Sequence, residues 1–337
     1  MPSYRFTLLP GDGIGPEVTD AVVEILKACD LHIDWEVLNA GASVMDTYGV
    51  PLPKVVLDSI RRNRIALKGP ITTPVGKGFT SVNVALRKAL NLYASLRPVR
   101  SFPGVQTPWD GVDLVIVREN TEGLYSGLEH MVVPGVAVGV KMISREATTA
   151  VARFAFNYAK AEGRSKITVA HKLPVMALSD GLFIESVRNL SEDYPFIELE
   201  FLEVDRVALQ LAQDPSQFDV LLLENLFGDI FSDMGAGLVG GLGLVPGANI
   251  GDTCAVFEAV HGSAPDIAGQ GKANPTALLL SAALMLHYIG QRKQSDRINH
   301  AVDEVLRSGK VRTGDIGGTA GTAEMTQAII DALPPLR

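Results

Sequence analysis

Cysteine is scarce in this sequence: Cys29 and Cys254 are the only two among 337 residues. That excludes a disulfide framework and makes a reducing compartment the expected setting. A surplus of basic residues is also missing, since Lys plus Arg number 30 against 38 Asp plus Glu, a formal charge of −8. Neutralising a nucleic-acid backbone needs the opposite balance, so no nucleic-acid partner is expected. An anionic small molecule stays possible if several arginines gather at one place. Long apolar runs are absent too. The stretch 278–286 is far short of the roughly 18 residues a bilayer span needs, and His287 closes it. No basic segment leading into an apolar core opens the chain. The expectation is a cytoplasmic protein with no membrane partner. Zinc spacing is missing as well, because the six His and two Cys never fall into a ligand pattern.

What is present is ordinary globular material, 47% hydrophobic and 20% charged, long enough for two domains. Short apolar runs at 5–9, 114–118, 167–171 and 220–224 alternate with helix-periodic stretches at 17–29, 144–161, 179–190 and 274–288. That alternation is the pattern of an α/β protein. The glycine-dense stretch 235–251 carries too much Leu and Val for a flexible linker, and reads as close helix packing followed by a tight turn.

Several segments carry chemistry. Gly11-Asp12-Gly13-Ile14-Gly15 lies between a strand and a helix, but its third glycine comes one residue early for a dinucleotide fingerprint and Pro16 follows it. A tight functional turn is the better reading. Ser81 is placed to cap a helix on which Asn83 and Arg87 share a face. With Arg97 and Arg118 these residues could grip a tricarboxylate bidentately. Taken singly, each arginine is an ordinary surface residue. Tyr125 follows the strand-end Arg118, and near Lys172 it could relay a proton, since an ammonium lowers a phenol's pKa. Asp229 and Asp233 stand four apart amid Leu226, Phe227, Ile230 and Phe231. Two like charges on one helical face need a cation between them, and oxygen-only ligation suits Mg2+ or Mn2+, with Asp205 a third candidate. In 261–269, Asp266 suits the ribose diol of NAD and repels a 2′-phosphate.

The stretches RENTEGLY at 118–125, NLFGDIFSD at 225–233 and VHGSAPDIAG at 260–269, together with the opening GDGIGPEV, resemble the β-decarboxylating dehydrogenase family. That family includes isocitrate, isopropylmalate and homoisocitrate dehydrogenases, and the likeness runs over essentially the whole chain. It implies an isocitrate/isopropylmalate dehydrogenase-like fold of two α/β domains around a central cleft, without a Rossmann fold. Residues 1–98 and 243–337 would form the large cofactor-binding domain, and 99–242 the small domain with a dimer interface. Carried over, Ser81, Asn83, Arg87, Arg97 and Arg118 resemble the substrate binders, Tyr125 and Lys172 the acid/base pair, and Asp205, Asp229 and Asp233 the metal ligands. Thr73, His261, Gly262, Ser263, Ala264, Asp266, Ile267 and Asn274 resemble the NAD-binding residues. The implied assembly is a homodimer in which Lys172 and Asp205 complete the neighbour's site.

The implied activity is NAD-dependent oxidative decarboxylation of isocitrate: metal-assisted hydride transfer, loss of CO2, then protonation by Tyr125. Ser-x-Asn at 81–83 resembles isocitrate rather than isopropylmalate enzymes. Homoisocitrate differs by one methylene and stays open, as does a non-catalytic regulatory subunit. NADP-using relatives carry Lys and Tyr at the positions of Asp266 and Ile267, and Tyr and Arg at those of Gly314 and Gly318. One departure stands out. The family usually has Asn soon after the catalytic Lys, where this chain reads Lys172-Leu173-Pro174, and Pro174 has no backbone donor.

Overall fold

Strands form where the sequence is Val-, Ile- and Leu-rich, and those strands sort into two sets. A computed structural model gives the arrangement and describes residues 4–73 and 81–335. The first three residues, and 74–80 and 336–337 of the expected large domain, lie outside the described residues. The chain divides into two compact units, Met1–Leu90 with Ser101–Pro108 and Ala236–Arg337, and Asn91–Arg100 with Trp109–Gly235. Both are α/β.

In the first unit the strands lie in the order Ile33–Val37, Tyr4–Leu9, Ile65–Lys68, Ala255–Ala259 and Pro246–Ile250, parallel except for the last pair. The helix Gly15–Ala28 starts with Pro in its first turn and buries Val18, Val22, Ile25 and Leu26. The helix Thr276–Tyr288 is apolar on every side, and ten of its thirteen residues are buried. Each buried Leu there contributes roughly 1.5–3 kcal/mol of transfer free energy. Its one mid-helix hydroxyl, Ser281, is satisfied by donating to the Ala277 and Glu258 carbonyls and accepting from the Gly247 N–H. The glycine-dense stretch is no linker. It holds the strand Pro246–Ile250, and Gly240 and Gly241 turn the chain at φ 111° and 116°.

In the second unit the strand order is Ala94–Arg100, Asp113–Glu119, Val220–Leu223, Lys166–His171 and Glu198–Glu203, with only the first pair antiparallel. Parallel register places Arg118 opposite Leu223, and His171 opposite Glu203. Arg118, Asn225, Lys172 and Asp205 therefore emerge at one edge, the carboxyl end of the strands, where such sheets carry chemistry. The helix Arg145–Ala161 begins at Ser144, whose hydroxyl accepts the Ala147 N–H. A separate hairpin, Glu129–Val133 with Val136–Gly139, is exposed along its whole length although Met131, Val132, Val133, Val136 and Val138 are apolar. No helix among the described residues is long and apolar enough to cross a membrane.

Candidate active site

In the first unit the candidate residues are held mainly by main chain. Gly13 has φ 62°, and a Cβ there would fall 2.0 Å from the Ser263 carbonyl oxygen. Gly11 has φ 83°, and its Cβ would fall 2.0 Å from the Pro70 oxygen. Only glycine permits both the left-handed backbone and the approach. The neighbouring N–H groups use the same carbonyls, Ile14 donating to Ser263 at 2.9 Å and Asp12 to Pro70 at 2.7 Å. The Asp12 carboxylate accepts from the N–H groups of Thr72, Ala42 and Ser43 at 2.8, 3.1 and 3.1 Å. Gly11–Gly15 is thus a bracket that ties the loop carrying Thr73 to the loop carrying His261, Gly262, Ser263, Ala264, Asp266 and Ile267. Thr72 and Ser263 hydroxyls meet across it at 2.7 Å. Ala264 holds φ 36°, a strained value for a residue with a Cβ, inside the candidate cofactor loop.

Ser81 stands at the start of the helix Val82–Ala89, but its hydroxyl does not cap it. The expected cap is corrected: Thr73 Oγ1 accepts the Val82 N–H at 3.0 Å instead, leaving Ser81 exposed. Arg87 reaches Glu258 at 3.0 Å, and Glu258 also holds Lys68 at 2.6 Å and Asn249 at 2.7 Å. Lys68 and Glu258 are almost fully buried. Sequence reasoning missed both, because each lies singly in an apolar strand with no spacing signal. Further on, Asn274 donates to Asp315 at 2.9 Å, and His261 turns Nδ1 toward the Gly262 carbonyl at 3.0 Å. Burial holds the His261 pKa below its ordinary value.

The second unit builds with charge. Arg118, buried, spends its Nε and Nη2 on Asn225 Oδ1 at 3.1 and 2.7 Å, and its Nη1 pairs with Asp229. The other Asp229 oxygen accepts from the Tyr125 hydroxyl. The Arg118 guanidinium lies 5.1 Å from the Tyr125 ring centre. Room for this comes from Gly228, where a Cβ would sit 2.4 Å from Arg118 Cγ. Glu119 fixes the following turn by accepting from the Thr121 and Glu122 N–H groups at 2.7 and 2.9 Å. Glu122 in turn accepts from Ser144. Asn225 and Glu119 are further residues the sequence did not single out, although both lie inside its motifs. Buried Arg97 donates to Ser95 at 3.1 Å. The Asp233 carboxyl is pushed up by burial and then by Asp229, against Arg97 and Arg118, which pull it down.

Lys172 lies elsewhere in this unit, bound to Asp205 at 2.6 Å and Glu203 at 2.8 Å. Those bonds, Asp205 first, hold its ammonium above the ordinary lysine value. Within one chain Lys172 is not among the groups that set the Tyr125 pKa. Burial comes first and the bond to Asp229 second, and they raise it, so the phenol keeps its proton. No three acidic, His or Cys side chains come together among the described residues, so Asp205 does not join Asp229 and Asp233 within one chain.

Residues 5–330 match the family model described as isocitrate/isopropylmalate dehydrogenase. The chain belongs to that family. It is 50% identical over 325 residues to a Drosophila melanogaster protein named as a probable NAD isocitrate dehydrogenase subunit alpha, covering 96% of this chain and 86% of the relative. It is 49% identical to a Dictyostelium discoideum protein named as an NAD isocitrate dehydrogenase regulatory subunit, covering 97% and 91%. The crystal structure of isocitrate dehydrogenase from Methylococcus capsulatus superimposes with a TM-score of 0.94 at 48% identity, over 98% of this chain and 99% of that one. For this member of the isocitrate/isopropylmalate dehydrogenase family the cytoplasmic expectation is corrected. The fly and slime-mould relatives are both named mitochondrial, which points to the mitochondrion instead.

Proposed function

We propose that the chain is an NAD-dependent isocitrate dehydrogenase, oxidising isocitrate at C2 and releasing CO2 to leave 2-oxoglutarate. The observation that carries this reading lies on the helix Val82–Ala89. Asn83 Oδ1 and Arg87 Nε are both buried there without a hydrogen-bond partner among the described residues. Leaving such groups unmet costs about 1–3 kcal/mol each. A substrate carboxylate accepts from the Arg87 Nε–H and an isopropyl group cannot, whereas the Asn83 oxygen is itself an acceptor and needs a donor such as a hydroxyl. Homoisocitrate is the second reading, because one methylene changes length and not polarity, a difference of only about 1–3 kcal/mol. Parallel assays of isocitrate, homoisocitrate and isopropylmalate with NAD decide it. The highest kcat/KM is expected for isocitrate, and homoisocitrate leading would overturn the assignment.

Ser81, Asn83 and Arg87 bind one end of the substrate, Arg97 and Arg118 its other carboxylates. Tyr125 holds a proton at its hydroxyl, kept there by Asp229, and delivers it to the carbon that loses CO2. Lys172 handles the proton of the C2 hydroxyl. A regulatory subunit would not need these groups, and Arg97, Arg118, Tyr125, Lys172, Asp205, Asp229 and Asp233 are all in place.

A divalent cation fits the acidic helix. Asp229 and Asp233 stand one turn apart on the helix Asn225–Leu238; burial first and the Asp229 charge second raise the Asp233 pKa, and a cation between the two would offset both. A carboxylate has about four lone-pair sites, so Asp229 keeps capacity beyond Arg118 and Tyr125. Asp229 and Asp233, with Asp205 from a second copy, would hold Mg2+ or Mn2+. Bound there, the cation supplies Lewis-acid polarisation of substrate oxygens. For the dinucleotide, which accepts the hydride, the loop with exposed Asp266 and half-buried Ile267 suits NAD. A Cβ at Gly318 would lie 2.0 Å from the Arg312 carbonyl oxygen, so no phosphate-binding side chain fits there.

The active form is a dimer, supported by two features. Lys172 and Asp205 touch each other and not Tyr125 or Asp229, and the apolar hairpin 129–139 is fully exposed. Mixing inactive Tyr125→Phe and Lys172→Met proteins should restore activity if sites are shared. The fly and slime-mould relatives are named as subunits, so a related chain can take the second copy's place.

A further inference from the structure

The second unit contains a half-buried ammonium that the chemistry above does not use. Lys141 is only 12% exposed at its side chain and donates to Asp180 Oδ1 at 2.6 Å. Asp180 is itself buried, and its other oxygen accepts the main-chain N–H of Lys172 at 2.6 Å. On its other side Lys141 lies 3.8 Å from Glu224 Oε1 and 5.0 Å from the centre of the Phe227 ring. The buried Glu224 carboxylate accepts the N–H groups of Leu226 and Phe227 at 3.2 and 3.3 Å, at the start of the helix that carries Asp229 and Asp233. A Cβ on Gly123, two residues before Tyr125, would stand 3.0 Å from the same carboxylate.

One cation thus compensates two buried carboxylates, one gripping the backbone of Lys172 and the other gripping the start of the acidic helix. A carboxylate buried without such a partner is costly, so the two bonds are strong only while Lys141 is charged and in place. The grip on Lys172 matters because residues 173 and 174 are Leu and Pro. Pro174 has no N–H to donate, and the turn is otherwise closed by the N–H groups of Val175 and Met176 on the Lys172 carbonyl. Asp180 is the acceptor that fixes the Lys172 N–H, and Lys141 fixes Asp180.

We infer that Lys141 is a positioning residue for the reaction, setting the Lys172 backbone through Asp180 and the start of the Asp229 helix through Glu224. This rests on the acid/base role given above to Lys172. The test uses the full-length assembled protein, with kcat, KM for isocitrate and KM for NAD measured separately. Lys141→Met should lower kcat at least about tenfold while each KM moves less than about threefold, and Lys141→Arg should recover a substantial part of the loss. On a Lys172→Met background, adding Lys141→Met should cost less than about twofold more, because residues acting through one another are not additive. If Lys141→Met does not fold, Lys141→Met with Asp180→Asn replaces the ion pair by neutral groups and is held to the same criteria. Unchanged kcat in the folded variant overturns the inference, and so does a full multiplicative loss on the Lys172→Met background. Wild-type turnover by Lys172→Met alone overturns the role of Lys172 itself, a distinct result.

Discussion

The two units hold their candidate functional residues by different means. In the first, recognition elements are held by main chain: carbonyls of Pro70 and Ser263 press into the space where Gly11 and Gly13 lack a Cβ. In the second they are held by charge, with Arg118, Asp229 and Tyr125 locked together and Lys172 paired to Asp205. The lesson is one of vulnerability. The Gly11–Gly15 bracket is sensitive to added atoms, whereas the Arg118–Asp229–Tyr125 cluster is sensitive both to an added atom at Gly228 and to the loss of a single charge.

The sharpest way to break that comparison is Asp229→Asn, which removes charge with almost no change of shape. Turnover should fall at least about a hundredfold and the dependence on Mg2+ should weaken, both read from initial rates across a metal titration. Full wild-type activity in excess chelator would contradict a metal role altogether. Next in size is the exposed loop of the first unit. Asp266→Lys with Ile267→Tyr should lower the NAD/NADP preference, which for the unmodified protein is expected to be about tenfold to a hundredfold. Equal kcat/KM of the unmodified protein with both cofactors refutes the reading of the loop.

Ser81→Glu comes third. Because Ser81 is exposed and caps nothing, the unfolding midpoint should barely move, within about 0.5 kcal/mol. The KM for isocitrate should still rise severalfold or more, and an unchanged KM would remove Ser81 from the pocket. Gly13→Ala should destabilise the protein by about 1–3 kcal/mol in denaturant titration, through its positive φ and the contact with Ser263. A neutral result would mean that the bracket yields.

The smallest effect concerns pH. Burial lowers the His261 pKa below the ordinary 6.5, so the unfolded chain binds the extra proton first as pH falls. Stability from this group is present above 6.5 and declines as pH drops through the interval down to the folded value. His261→Gln should flatten that part of the stability curve, a change measurable by unfolding at several pH values.

Much of this was legible in the residues. The strands at 114–118, 167–171 and 220–224 are mostly apolar runs that end in a polar residue, and each appears within a residue or two of its expected ends. Buried parallel strands advertise themselves in this way. The motif residues were legible too, because chemistry at a strand end needs particular side chains at fixed spacing. What stayed hidden are partnerships between distant singletons: Lys68 with Glu258, Lys141 with Asp180. Nothing local marks such a pair, since each member looks like a stray charge until folding supplies its counter-ion. The capping role of Thr73 was hidden for the same reason, because its bond joins residues nine positions apart in sequence.

Gly228 has a consequence for anyone assembling hybrids of this protein. The Arg118 stem crosses the helix at a position without a Cβ, and its guanidinium ends on Asn225 and Asp229, so two segments 107 positions apart are cut to one template. Transplanting 118–125 from a homologue without 225–233, or the reverse, brings mismatched halves of a joint together. Shuffled libraries should therefore be filtered for the two segments inherited from the same parent, and crossovers placed between them are the ones to avoid.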